Sequence, residues 1–315
     1  MNTNHEIGMS ALVTRRGLLS GAAGALAAAG LWRAGAAQGG QASPGKAPSR
    51  RVVVNGRIRQ SVCQWCFTSP KSPKPMTLEE LAREAAAMGI ESVELVEPKD
   101  WPILKRYGLI CALTSSHGFE KGFNNEANHD WCIAKLKESI DATAAAGFPS
   151  VITFSGFSNG IPSDVGLENT IEGLKKVIGY AEKKKVNLVL EVLNTRVAEE
   201  MKGHPGYMAD KVEWAVEVCK RIASERMKLL FDIYHVQIMQ GDLIARIGQY
   251  HPYIGHYHTA GVPGRNEIDD SQEINYPAVM RAIVATGYQG YVGQEFIPTR
   301  DPLASLREAV KICDV

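Results

Sequence analysis

The chain has 315 residues, 45% apolar and 22% charged, with a formal net charge of +1. This is ordinary globular composition for one large domain, and with no basic surplus it argues against nucleic-acid or anionic-membrane partners. Six cysteines are too few for a disulfide scaffold in a chain of this length.

Residues 1–36 are written differently from the rest. Arg15-Arg16 precede Gly17-Leu18-Leu19, a run of Ala, Gly and Leu continues to Leu31, and Ala34-Gly35-Ala36 closes it. A charged region, a short apolar region and a small-residue cleavage site are expected to make a leader removed near Ala36, with an uncleaved anchor as the alternative. The apolar run, about 14 residues, is shorter than the ~20 needed to span a bilayer, so no stable membrane insertion is expected after cleavage. The paired arginines resemble a twin-arginine export signal. That resemblance implies a periplasmic or extracellular protein, exported folded and metal-loaded. Residues 37–55 are expected to be a linker, rich in Gln, Gly, Ser, Pro and Lys, leaving 56–315 as the folded domain.

Eight apolar runs of strand length follow: 60–66, 91–96, 109–114, 150–154, 186–192, 227–232, 253–258 and 290–295. They are nearly continuous in apolar character, as strands buried on both faces should be. Helical spacing lies between them, as in Ile171, Leu174, Val177, Ile178 and Ala181, or Leu136, Ile140 and Ala144. Thr77 before Leu78-Glu79-Glu80 reads as a helix N-cap with acidic first-turn residues. Eight β/α units in this length predict a single (β/α)₈ TIM barrel, which needs about 250 residues. No G-x-G-x-x-G follows the first strand, so a dinucleotide fold lacks its fingerprint. Cys63-Gln64-Trp65-Cys66 is expected on a strand, where residues three apart face opposite sides, which argues against a redox pair. Trp65, Phe67 and Trp101 are read as either an apolar wall or core.

Chemistry in such a barrel sits at the C-terminal strand ends. The last four predicted strands end at Glu191, Asp232, His258 and Glu295. Burying carboxylates there is costly unless they are paired or coordinated, so the four are expected to hold a metal. Two Glu, one Asp and one imidazole suit Mn²⁺ or Mg²⁺, with Co²⁺ or Zn²⁺ as alternatives. His256 and His258 share a strand face. His258 is taken as the ligand because it lies nearer the rim, and His256 as core or support. His117, after the third strand, also falls on the catalytic rim and is read as either a substrate contact or a loop residue.

The motifs LEVLNTR, FDIYHVQ, IGHYHTAGVPGRNEI followed by EINY, and YVGQEF resemble the hydroxypyruvate isomerase branch of the xylose-isomerase-like barrels. Ketose 3-epimerases share much of the pattern, and the likeness covers about residues 60–312. It implies a metal held by Glu191, Asp232, His258 and Glu295, with Glu191 and Glu295 as the acid/base pair. At the third ligand, hydroxypyruvate isomerases often carry Gln and epimerases His. The resemblance further implies that His235 and Arg265 contact substrate. The expected activity is isomerisation or epimerisation of a small sugar or keto acid through an enediolate. The alternatives are a lyase or hydratase acting on oxidised sugars or 3-keto-glycosides, and a non-catalytic sugar-binding barrel. A repair endonuclease is disfavoured, because no D-x-H pair follows His258. The expected partner is a small carbohydrate or keto acid, and a homo-oligomer is compatible with the sequence.

Overall fold

The computed structural model describes residues 51–315. The leader at 1–36 and most of the expected linker lie outside the described residues.

Eight strands form one parallel sheet: β1 (Arg59–Cys63), β2 (Ser92–Glu94), β3 (Leu113–Thr114), β4 (Ser150–Thr153), β5 (Asn187–Glu191), β6 (Met227–Asp232), β7 (Ile254–Thr259) and β8 (Tyr291–Gln294). Their order, β2-β1-β8-β7-β6-β5-β4-β3, carries the sheet around from β1 to β8. The outer pair, β2 and β3, meet through Val93 N–H to Ile110 O (3.1 Å) and Leu95 N–H to Leu113 O (2.9 Å), so the ring closes as the strand count predicts. The third strand is shorter than the expected 109–114, because only Leu113–Thr114 keep full ladder pairing.

The helices are α1 (Gln64–Thr68), α2 (Leu78–Met88), α3 (Trp101–Arg106), α4 (His129–Ala146), α5 (Ser163–Lys184), α6 (Val212–Ile222), α7 (Ile233–Met239), α8 (Leu243–Tyr250), α9 (Tyr276–Ala285) and α10 (Pro302–Cys313). Thr77 caps α2 in a full capping box with Glu80, which satisfies two otherwise orphaned N–H groups. In α5, Ile171, Leu174, Val177, Ile178 and Ala181 are the buried stripe; in α4, Leu136 and Ile140 are buried. Among the described residues no helix is long and apolar enough to cross a membrane.

Two expectations need correction. The strand ends at Cys63, and Gln64–Thr68 turn into α1, so the Cys-x-x-Cys lies at a strand-to-helix corner rather than on a strand. Both thiols are buried, and desolvation drives both pKa values well above the ordinary range, the opposite of a reactive pair. Second, residues 51–55 are not linker. Val53 is buried, and the N–H groups of Val52 and Val53 donate to Met88 O. Those of Val54, Asn55 and Gly56 donate to the Asp314 carboxylate at 2.5, 2.8 and 2.8 Å.

The barrel interior is filled unevenly. Leu113, Ile152, Val189 and Leu230, from β3 to β6, make an apolar cluster. Across from them, β2 and β7 contribute Glu94, His256 and His258, all buried.

Candidate active site

Alternation along each strand places Val189 and Glu191, Leu230 and Asp232, and His256 and His258 on shared faces. One ligand atom each from Glu191, Asp232, His258 and Glu295 lies within 4.8 Å of all the others, and all four side chains are buried. Asp232 is also the N-cap of α7. Its Oδ1 accepts from Tyr234 N–H (2.8 Å) and His235 N–H (3.2 Å), while Oδ2 lies 3.7 Å from Arg265 Nη2.

Glu295 is held at both oxygens. Trp65 Nε1–H donates to Oε1 at 3.1 Å and Arg265 Nη2–H to Oε2 at 2.6 Å. Arg265 also donates through Nη1 to Met201 O at 2.6 Å. Its guanidinium lies 5.1 Å from the Trp65 ring centroid and 5.6 Å from that of Tyr234, within cation–π range. Arg265 takes a positive φ of 59°, the left-handed region that non-glycine residues rarely adopt.

His258 Nδ1 faces the carboxylates, 3.0 Å from Glu295 Oε2 and 3.8 Å from Glu191 Oε1, yet makes no well-formed hydrogen bond. Its Nε2 lies 3.4 Å from Glu94 Oε2 and 3.6 Å from Cys63 Sγ.

Burial alone would raise every carboxyl pKa here, and the surroundings then separate them. Burial raises Glu191, with His258 opposing and Glu295 adding to the rise. Burial and the Glu295 charge push Asp232 up to about 7. For Glu295, burial is outweighed by His258 and Arg265, which hold it well below the usual range. For Glu94, burial is outweighed by His256 and His258, which bring it to about 2. Burial would lower His258, but Cys63 and Glu295 raise it well above its ordinary value.

The remaining candidates separate. His235 is buried, and its Nδ1 accepts from Asn194 N–H (3.1 Å), with the Asn194 amide nitrogen a further contact at 2.6 Å. The ring proton is therefore on Nε2, which has no hydrogen-bond partner and lies 3.6 Å from Asp232 Oδ2. His117 lines the cavity, but its Nε2 meets Thr153 Oγ1 at 2.9 Å and its Nδ1 meets two backbone carbonyls. Nδ1 thus serves the loop and Nε2 the end of β4. Trp65 lines the cavity, whereas Phe67 and Trp101 belong to the core.

Sequence reasoning missed Glu94 and His204. Glu94 ends β2 fully buried; an acid inside the apolar run Ser92-Val93-Glu94-Leu95-Val96 was the available signal. His204 lies on the loop after β5, 4.4 Å from the Phe119 ring. Burial and Arg265 lower its pKa to about 4. No local pattern marks it.

Above the cluster lies a cavity of about 370 Å³, with Glu191, Glu295 and Arg265 at one end and Phe119, Phe154 and Leu193 among its walls. The donor set fits a divalent cation on two grounds. His258 Nδ1 is buried, unpartnered and aimed at three carboxylates. Among the described residues Arg265 is the one arginine or lysine paired with these carboxylates, and buried anions need compensation.

Residues 82–314 match the family model described as Xylose isomerase-like TIM barrel. The 2-oxo-tetronate isomerase of Cupriavidus necator is 26% identical over 242 residues, 70% of this chain and 88% of the relative. The hydroxypyruvate isomerase of Escherichia coli is 27% identical over 241 residues, 71% and 89% of the two chains. A solved structure titled AP endonuclease, family 2, from Brucella melitensis superposes with a TM-score of 0.70 at 24% identity, covering 79% of this chain and 97% of that one; at that identity the likeness is one of fold. With this match, these relatives and the closed barrel together, the chain belongs to the xylose isomerase-like TIM barrel family, as an isomerase-type enzyme.

Proposed function

We propose that the chain is a divalent-metal-dependent isomerase or epimerase of a small sugar or hydroxy-keto acid. The observation that carries this is the convergence of Glu191, Asp232, His258 Nδ1 and Glu295 beneath a cavity that both glutamates line. These four would hold Mn²⁺ or Mg²⁺, with Co²⁺ or Zn²⁺ as alternatives, because the donors are mostly oxygen. A bound cation supplies Lewis-acid stabilisation of negative charge on the substrate oxygens.

The chain's own groups do the rest. One glutamate removes the proton from the carbon beside the carbonyl, and the other returns a proton. Trp65 and Arg265 grip both oxygens of Glu295 and hold its approach angle. His235 does not line the cavity; its Nε2–H, the tautomer set by Asn194, lies 3.6 Å from Asp232 Oδ2 and supports that carboxylate. Arg265 offers a fixed charge at the same end of the cavity. The walls of Phe119, Phe154 and Leu193 keep water from the reacting carbon.

A second reading, a lyase or hydratase on oxidised sugars or 3-keto-glycosides, has one observation in its favour. The cavity volume, about 370 Å³, falls in the range of sites that hold drug-sized ligands and exceeds the needs of a three-carbon acid. A panel of keto acids, ketoses and keto-glycosides in deuterated buffer tests both readings. Deuterium incorporation with mass otherwise conserved supports the isomerase, and an eliminated product supports the lyase. Protein that is fully active after metal removal refutes the metal assignment.

A further inference from the structure

We propose that Glu94 is a positioning residue that orients His258 for metal binding, by holding the Nε2 proton and leaving Nδ1 as the ligand atom. This rests on the metal reading above.

The starting point is the cost of Glu94. It is a fully buried carboxylate in the middle of an apolar run, and a lone ionised carboxylate there is strongly disfavoured. The nearby basic groups are His256, with Nε2 at 2.7 Å, and His258, with Nε2 at 3.4 Å, both measured to Glu94 Oε2. Of these contacts, the one to His258 Nε2 has hydrogen-bond geometry. The other nitrogen of His258 is the unpartnered Nδ1 that faces Glu295 and Glu191. A histidine that binds a metal through one nitrogen commonly donates its other N–H to a carboxylate, which fixes tautomer and ring plane. Glu94 is placed to accept that proton.

The neighbouring strand is cut to allow it. Gly293 on β8 stands beside the pair, and a Cβ there would come 2.3 Å from Glu94 Oε1 and 2.9 Å from His258 Cδ2. Any side chain at this position would displace the carboxylate, the imidazole or both. His256 Nε2 lies 2.7 Å from the same Glu94 oxygen that faces His258, and this second contact limits the swing of the carboxylate. Strands β2, β7 and β8 thus each contribute to one arrangement that the proton-transfer chemistry itself does not require.

The test is metal binding, measured apart from turnover. Mn²⁺ affinity is determined by electron paramagnetic resonance titration for wild type, E94Q and E191Q. E94Q keeps the shape of the side chain and removes its charge. The expected result is one Mn²⁺ per chain in wild type, with affinity weakened roughly 10- to 100-fold in E94Q at unchanged circular dichroism. An E94Q affinity within twofold of wild type, with E191Q clearly weakened, overturns the positioning role and leaves the metal reading intact. No saturable binding in wild type overturns both. A second equivalent lost in E94Q overturns the role in favour of direct ligation by Glu94. If E94Q does not fold, ¹⁵N spectra of the histidine rings in Zn²⁺-loaded wild type decide. A proton on His258 Nε2 supports the proposal, and one on Nδ1 overturns it.

Discussion

Arg265 and Glu295 form a buried ion pair, Nη2 to Oε2 at 2.6 Å, at the mouth of the barrel. Arg265 comes from the loop after β7 and Glu295 follows β8, so the pair ties two catalytic-face segments together. Removing one partner of a buried pair leaves the other charge uncompensated, at about 3–5 kcal/mol. R265A is expected to destabilise by about that amount, and R265A/E295Q to recover part of it. Urea unfolding of the single and double variants checks this. A loss in the double variant equal to the sum of the losses in R265A and E295Q would show that the pair is not coupled.

E295Q keeps one acceptor oxygen for Trp65 or Arg265, turns an NH2 toward the other donor, and removes one member of the proposed acid/base pair. Turnover and exchange of the substrate's α-proton with solvent should fall about 10²- to 10⁴-fold, with the fold retained. Isotope-exchange mass spectrometry reads this directly. A rate near wild type would remove Glu295 from the acid/base pair.

G293A probes the packing around Glu94 and His258. The added methyl meets Glu94 Oε1 at 2.3 Å, so it must force a shift, and overpacking of this kind costs about 1–3 kcal/mol. A lowered Tm together with weaker Mn²⁺ binding is expected. An unchanged Tm would mean that β8 moves aside freely.

Asp314 predicts a pH effect away from the site. Burial would raise its pKa, but the N–H bonds from Asn55, Val54 and Gly56 and the nearby Arg57 lower it. A group with a depressed folded pKa stabilises above its unfolded value, near 3.9, and that contribution is lost as pH falls through the folded value. D314N should therefore lower Tm at neutral pH, by about 2 °C per ~1 kcal/mol lost after allowance for solvent screening. The difference should shrink in acid below about pH 4. Thermal scans of both proteins from neutral to acid pH test this. A difference that persists unchanged in acid would show that the carboxylate charge is not its source.

What the sequence alone determined follows from local pattern. Runs buried on both faces and separated by helical spacing give eight β/α units, and the acids at 191, 232 and 295 stand at run ends where such a barrel keeps its chemistry. These features are written within ten residues of chain and survive without knowledge of neighbours. Tertiary structure decided the rest, because closure of the ring sets which distant strands face each other. Glu94 and His256 are 162 positions apart and meet at 2.7 Å because β2 and β7 both turn those residues into the barrel. Two histidines on one strand face could not be ranked by ring orientation until the carboxylates around each nitrogen were in place. His117, read from its rim position, proved to have both nitrogens engaged by its own loop and Thr153. The corner at Cys63 and the docking of residues 51–55 depend likewise on packing against the finished barrel, which no local run of residues encodes.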